Sequence, residues 1–137
     1  MEARELRIGS LLKDNLTGEW LRVTDLSENI VAEVINRDKY PLPDGWQMAP
    51  IPLTPEILEK AGFIFVHKTN QYGWYLTVEN RSLCWCHSDY VSLEFNAGQH
   101  DDYSHALFEF PCKHVHQLQN LFYCLTGTEL NIDLANL

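Results

Sequence analysis

The stretch from Val115 to Gly127, VHQLQNLFYCLTG, constrains this chain most. At 100° per residue, Val115, Leu118, Leu121, Phe122 and Leu125 fall within an arc of about 120°, the width of a core-facing stripe. Gly127 follows the last periodic residue, where a left-handed residue commonly ends a helix. The start is less marked, because Lys113 and His114 precede the stripe and neither is a strong N-cap. The spacing therefore predicts a helix that anchors the fold through one face.

The rest of the chain reads mostly as short strands and turns. Leu6, Ile8 and Ser10 alternate with Arg7, Gly9 and Leu11, a mixed period-two pattern. Asp14, Asn15, Thr17 and Gly18 make a first turn, and Glu19–Leu26 follows as a second strand. Ser27, Glu28 and Asn29 turn again, after which Ile30, Ala32 and Val34 point one way. Three such strands form a β-meander too small to stand alone. It must close into a small SH3-like barrel or rest on the remainder. Residues 37–53 hold four of the six prolines, Pro41, Pro43, Pro50 and Pro52, each restricting its predecessor to extended geometry. This segment reads as a stiff connector fastened by Trp46 and Met48.

A short helix with full start signals comes next. Thr54 is its N-cap, Pro55 its first residue and Glu56 a first-turn acid, while Leu53 and Leu58 are placed as a hydrophobic staple. Gly62 ends it. From Phe63 to Phe110, four or five strands alternate with turns at Asn70–Gly73, Asn80–Ser82 and the polar loop NAGQHDDYSH (Asn96–His105), the pattern of an antiparallel sheet. Pro111 stops the last strand, and Glu129–Leu134 returns as an edge strand. The fold class expected is α+β, with residues 1–137 as one compact unit. Within it, 1–49 is the β-meander lobe with its Pro-rich connector, and 50–137 is an antiparallel sheet with two helices.

Composition narrows the function classes. Hydrophobic residues at 45% and charged residues at 21% are globular values, which argues against disorder. No apolar run reaches the roughly 20 residues that span a bilayer. The opening MEARELRIGS lacks the apolar core of a secretory signal, so the expected location is cytoplasmic and its four cysteines reduced. The net charge of −9 is concentrated in residues 82–137, where seven acids face a single base, Lys113. Such a surface repels phosphate backbones and makes a poor nucleic-acid binder. It attracts a basic partner or mimics a polyanion, or simply keeps the chain soluble.

Two segments, PIPLTPEILEKAGF (Pro50–Phe63) and HVHQLQNLFYCLTGTEL (His114–Leu130), together resemble a family of small uncharacterised proteins from Bacteroides-type gut bacteria and their prophages or mobile elements. RIGSLL (Arg7–Leu12) is similar to the same family's opening strand. The resemblance implies no activity, cofactor or catalytic residue. It does imply the setting of a phage or mobile element.

Candidate sites were weighed against simpler roles. Cys84, Cys86, His87, Cys112, His114 and His116 are metal-ligating types, but their spacings miss the paired C-x2-C and H-x3–5-H arrangements that tetrahedral zinc favours. On a helix His114 and His116 also point about 200° apart. His100, Asp101, Asp102 and His105 could make an open metal site, or only a solvated loop. A Cys112/His116 nucleophile pair has the right chemistry and no supporting motif. No hydrolase, phosphate-loop or dinucleotide signature is present. Tyr72, Trp74, Tyr75, Trp85 and Tyr90 could stack bases, but the basic groove that accompanies such platforms is missing, and cross-strand packing accounts for them. On the anchor helix, His116, Asn120 and Tyr123 align at i, i+4 and i+7, opposite the apolar arc, and offer donors and acceptors with little charge. They are the expected binding residues, unless they only cover the sheet. Gln119, beside them, is placed to tether the helix to a strand.

The sequence thus points to a non-enzymatic binding or accessory protein of a phage or mobile element, acting by protein–protein contact and without a cofactor. The alternative is a small enzyme or metal-binding protein using the His, Cys and Asp residues of the C-terminal half. Protein purified without chelator is predicted to carry no stoichiometric zinc or iron. Elemental analysis returning about one metal per chain, the ratio of a single structural site, would contradict that reading.

Overall fold

A computed structural model describes residues 5–26, 31–34, 48–68, 71–78, 81–85, 90–96 and 104–134. Two antiparallel sheets and two helices make this an α+β protein, as the alternating apolarity predicts. By contact, the chain divides into two units, Met1–Pro52 with His114–Leu137, and Leu53–Lys113. The C-terminal helix, however, belongs with the N-terminal strands and not with the second sheet.

The first unit holds β1 (Leu11–Asp14), β2 (Trp20–Asp25), β3 (Val31–Val34) and β4 (Met48–Ala49), paired in the order β3-β2-β1-β4. The first strand begins at Leu11, later than the alternation from Leu6 suggests, because the preceding residues turn. Ser10 N–H donates to Arg7 O at 3.0 Å, and Gly9 at the third turn position has φ +95°, a conformation that favours glycine. Gly9 N–H then donates to Val23 O at 2.8 Å while Val23 N–H donates to Ser10 O at 3.0 Å. Two residues thus oppose one, a glycine bulge that leads the chain into β1. At the other end of β1 the buried Asp14 carboxylate accepts from Leu16 N–H at 2.8 Å, turning the chain towards β2.

Leu12, Leu21 and Val23 are fully buried on one face of this sheet. Leu6, Leu12 and Val23 form a cluster against which Met48 packs. Met48 therefore fastens the end of the Pro-rich connector as expected; Trp46 lies outside the described residues. The last proline of that connector, Pro52, faces His114 in an antiparallel bridge, and Val115 N–H donates to Ile51 O at 2.9 Å.

Helix α2 (Val115–Thr126) completes the first unit. His114 is its N-cap in extended conformation, and Gln117 reaches back to accept from His114 N–H at 3.2 Å. A start with no strong cap residue is stabilised from the third helical position. Gly127, at φ +72°, ends the helix as its position predicts. The buried face differs from the apolar arc. Val115, His116, Leu118 and Gln119 are buried, whereas Leu121, Phe122 and Leu125 are only partly covered. The tail 129–134 forms no strand, but Leu130 and Ile132 are buried alternately with exposed neighbours.

In the second unit, Leu53 N–H donates to Lys113 O at 2.9 Å where the chain enters and leaves. Helix α1 (Pro55–Lys60) starts as predicted, with Thr54 Oγ1 accepting from Ile57 N–H at 3.3 Å. It stops through paired bonds from Phe63 N–H to Leu58 O at 2.9 Å and from Gly62 N–H to Glu59 O at 3.0 Å. Gly62 has φ +92°, and Leu58 and Phe63 are both buried, as this stop motif favours. The strands β5 (Ile64–Lys68), β6 (Gln71–Val78), β7 (Arg81–Trp85), β8 (Tyr90–Asn96) and β9 (Ser104–Pro111) follow in sequential antiparallel order. Lys68 pairs with Gln71 and Val78 with Arg81, leaving two residues for each connection, the length hairpins favour. The predicted turns at Asn70–Gly73 and Asn80–Ser82 are therefore replaced largely by strand. The polar loop also shortens, because β9 already includes Ser104 and His105.

No helix of the described residues is long and apolar enough to cross a membrane. Gly62→Ala should cost about 1 kcal/mol of stability, from backbone conformation alone. The added Cβ would meet only Leu76 Cδ1, at an ordinary 3.7 Å. Chemical denaturation of the two proteins side by side checks this, and an unchanged midpoint would contradict it.

Candidate functional site

The helix side chains expected to bind are held together around the N-terminal segment Glu5–Arg7. Gln119 sets the geometry. Its Oε1 accepts from Leu11 N–H at 2.8 Å and its Nε2 donates to Gly9 O at 3.0 Å, so a buried side-chain amide pairs with backbone as a neighbouring strand would. Both backbone groups lie in or beside the bulge and need a partner there. Gln119 is thus the tether that its position on the helix predicts.

His116, Asn120 and Tyr123 lie one turn apart on the adjoining stripe. His116 is fully buried, and its Nε2 is 3.1 Å from Glu5 Oε2. A carboxylate only accepts, so Nε2 carries the proton. Nδ1 is also buried and has no hydrogen-bond partner among the described residues. Asn120 uses both ends of its amide: Oδ1 accepts from Arg7 Nε at 2.6 Å, and Nδ2 donates to Glu5 O at 2.6 Å. The Arg7 guanidinium also lies 4.8 Å from the centre of the Tyr123 ring and forms a two-pronged ion pair with Glu129. The stripe is therefore not an open face opposite the core. His116 and Asn120 are occupied by the chain's own residues 5–7, and Tyr123 alone is substantially exposed.

His114 stands outside the helix proper, and its ring stacks on that of His116 at 5.8 Å, closer than two helical positions would allow. Burial lowers its pKa below the ordinary 6.5, and the His116 charge adds to the effect. The folded state then takes up this proton less readily than the unfolded chain. His114 accordingly removes stability as the pH falls through its unfolded value towards the depressed folded one.

Beside the Gln119 pairing lies an open cleft of about 340 Å³. Ile8, Leu11, Leu130 and Ile132 give it apolar walls, and Arg22 adds an exposed guanidinium. It is at the small end of the range for small-molecule sites. In the ladder, Arg22 stands opposite Glu33 of β3.

The other candidates separate. Cys112 is buried, and desolvation pushes its thiol up to about 12, so it is no nucleophile at neutral pH. Cys84 is buried in β7 and Cys124 is exposed on α2. Cys86, His87, His100, Asp101 and Asp102 lie outside the described residues, and His105 belongs to β9 rather than to a loop. Among the described residues no three His, Cys, Asp or Glu side chains group as metal ligands would.

The aromatics of the second sheet do not make one platform. Register places Tyr72, Trp74 and Trp85 on one face and Tyr75 on the other; Tyr90 opens β8. Phe65 joins the first group, 5.4 Å from both Tyr72 and Trp74, and His67 lies 5.3 Å from Tyr72. These rings meet edge-on or tilted, so they contact one another instead of presenting flat faces to bases. Even so, Phe65 and Tyr72 remain 42% and 47% exposed, and Ile64 on the opposite face is 69% exposed. Among the described residues β5 pairs only with β6. The sequence signature of such an apolar edge is the run Ile64-Phe65-Val66, which holds neither proline nor charge.

Comparison of the chain with protein-family models, with curated proteins and with solved structures gives no match.

Gln119→Leu should lower the unfolding free energy by about 3 kcal/mol, since Gly9 O and Leu11 N–H would be left buried without partners. Urea denaturation measures this. A loss below about 1 kcal/mol would mean that water replaces the amide and that the pairing is dispensable.

Proposed function

We propose that this is a non-enzymatic accessory protein that acts by protein–protein contact, through the outer edge of β5. The observation that carries the reading is that edge: a five-residue strand with Ile64 and Phe65 exposed on opposite faces and the ring cluster of Phe65, His67, Tyr72 and Trp74 alongside. Open edges offer unpaired N–H and C=O groups, and a partner strand satisfies them while side chains supply selectivity. Soluble proteins usually blunt such edges with lysine, proline or a bulge. Here the centre of the strand carries none of these.

The α2 stripe is the lesser candidate, because His116 and Asn120 already hold residues 5–7. The sequence resemblance to prophage and mobile-element proteins supplies the biological setting of the proposal, with a cytoplasmic location. No observation favours a catalytic reading over it.

Affinity capture from a native lysate tests this reading. The wild-type chain should retain a reproducible protein partner, and Ile64→Lys should lose it while keeping the wild-type far-UV circular dichroism. Absence of any partner, together with turnover in a broad substrate screen, would reverse the assignment to an enzyme.

A further inference from the structure

We infer that the outer edge of β5 pairs with β5 of a second copy of this chain, joining two five-stranded sheets across a twofold axis. The inference rests on reading β5 as a contact edge and names its occupant. Three observations point to self-pairing.

The strand is self-complementary in register. Antiparallel pairing centred on Val66 sets Val66 against its own copy, Phe65 against His67 of the second copy, and Ile64 against Lys68 of the second copy. Within one chain Phe65 and His67 already share a face with Tyr72 and Trp74. Pairing would bring the two clusters together on one side, with Phe65 of each copy opposite His67 of the other. Aromatic cross-strand pairs of this kind stabilise sheets.

Charge permits this approach. The chain carries −9 overall, so two copies repel across most of their surface. Between Glu59 and Glu79 there is no acidic residue, while Lys60 and Lys68 are basic. The β5–β6 hairpin is thus a stretch on which two acidic chains can meet without acids facing each other. Within the pairing, each lysine position stands opposite an isoleucine, so no like charges face each other.

Exposure agrees. Ile64 and Phe65 project to opposite faces and both remain open. A strand added at the edge would cover both faces at once, whereas a contact on one face of the sheet would cover only one of them.

The register gives a charge-swap test on the full chain. Mass by light scattering, or by sedimentation across a broad concentration series, should show the wild type passing from the 15.9 kDa chain to a dimer. Ile64→Lys sets lysine against Lys68 twice per dimer and should weaken dimerisation roughly tenfold or more. Ile64→Glu makes the same two positions opposite in charge and should retain the dimer, despite adding negative charge to an acidic protein. Amide hydrogen exchange of the wild type gives a readout that needs no variant: residues 64–68 should gain protection as concentration rises. A wild type that stays monomeric throughout, a dimer indifferent to Ile64→Lys, or a dimer without added protection in β5 would each overturn the inference. Loss of the dimer in Ile64→Glu to the same degree as in Ile64→Lys would overturn the register. A monomer that still captures a foreign partner in an Ile64-dependent way would leave the proposed function standing without this inference.

Discussion

The first unit depends on a side chain that imitates a strand. Where the chain turns through Arg7–Ser10, the glycine bulge leaves Gly9 O and Leu11 N–H without sheet partners, and the Gln119 amide supplies an acceptor and a donor together. Its burial makes the substitution strict: an acid offers no donor, and an aliphatic side chain offers neither group. Around this pairing the burial of Val115 and Leu118 follows, because an amide fixed against β1 rotates the helix to present those residues inward. The bridge between Pro52 and His114 holds the start of the same helix. The partly covered later turns, from Leu121 onward, lie beyond that fixed point.

Arg7 organises what remains of the N-terminal segment. A single planar guanidinium meets the Asn120 amide, the Glu129 carboxylate and the Tyr123 ring, which joins α2 and the tail after it to the same three residues of chain. Lysine could not do this, because its point charge lacks the fork that serves two oxygens and a ring together. The alternation of Leu130 and Ile132 with exposed neighbours is then understandable without a β-ladder. The tail is positioned at Glu129 and continues extended, burying every second side chain.

Local signals are legible in the sequence, and distant ones are not. Both helices begin and end close to where Thr54, Gly62 and Gly127 place them, since a cap acts within four residues. Strand identity was also legible from alternation, and so was the tethering role of Gln119. What failed were inferences about which face is covered. His116 reads as polar and outward from periodicity alone, yet it is buried and meets Glu5, far away in sequence. The start of β1 was misplaced because alternation continues through Leu6–Ser10 while the backbone turns. In the second sheet, Gln71 and Arg81 look like turn residues by type. The ladder takes them up because two-residue connections fit the twist of the flanking strands.

The first unit is interrupted in sequence, and that shapes how it can be made. Its strands leave the ribosome early, but the amide that closes the bulge at Leu11 lies 108 residues later. At usual elongation rates this leaves roughly 5–20 s during which β1 and β2 exist without α2. The segment Leu53–Lys113 has no such debt, since its helix and all five strands are contiguous. It can complete itself during translation, while the segment preceding it waits for the residues that follow Lys113. A nascent chain stalled before Gln119 would therefore present one finished unit and one sheet edge still in need of protection, the state in which a chaperone has most to do.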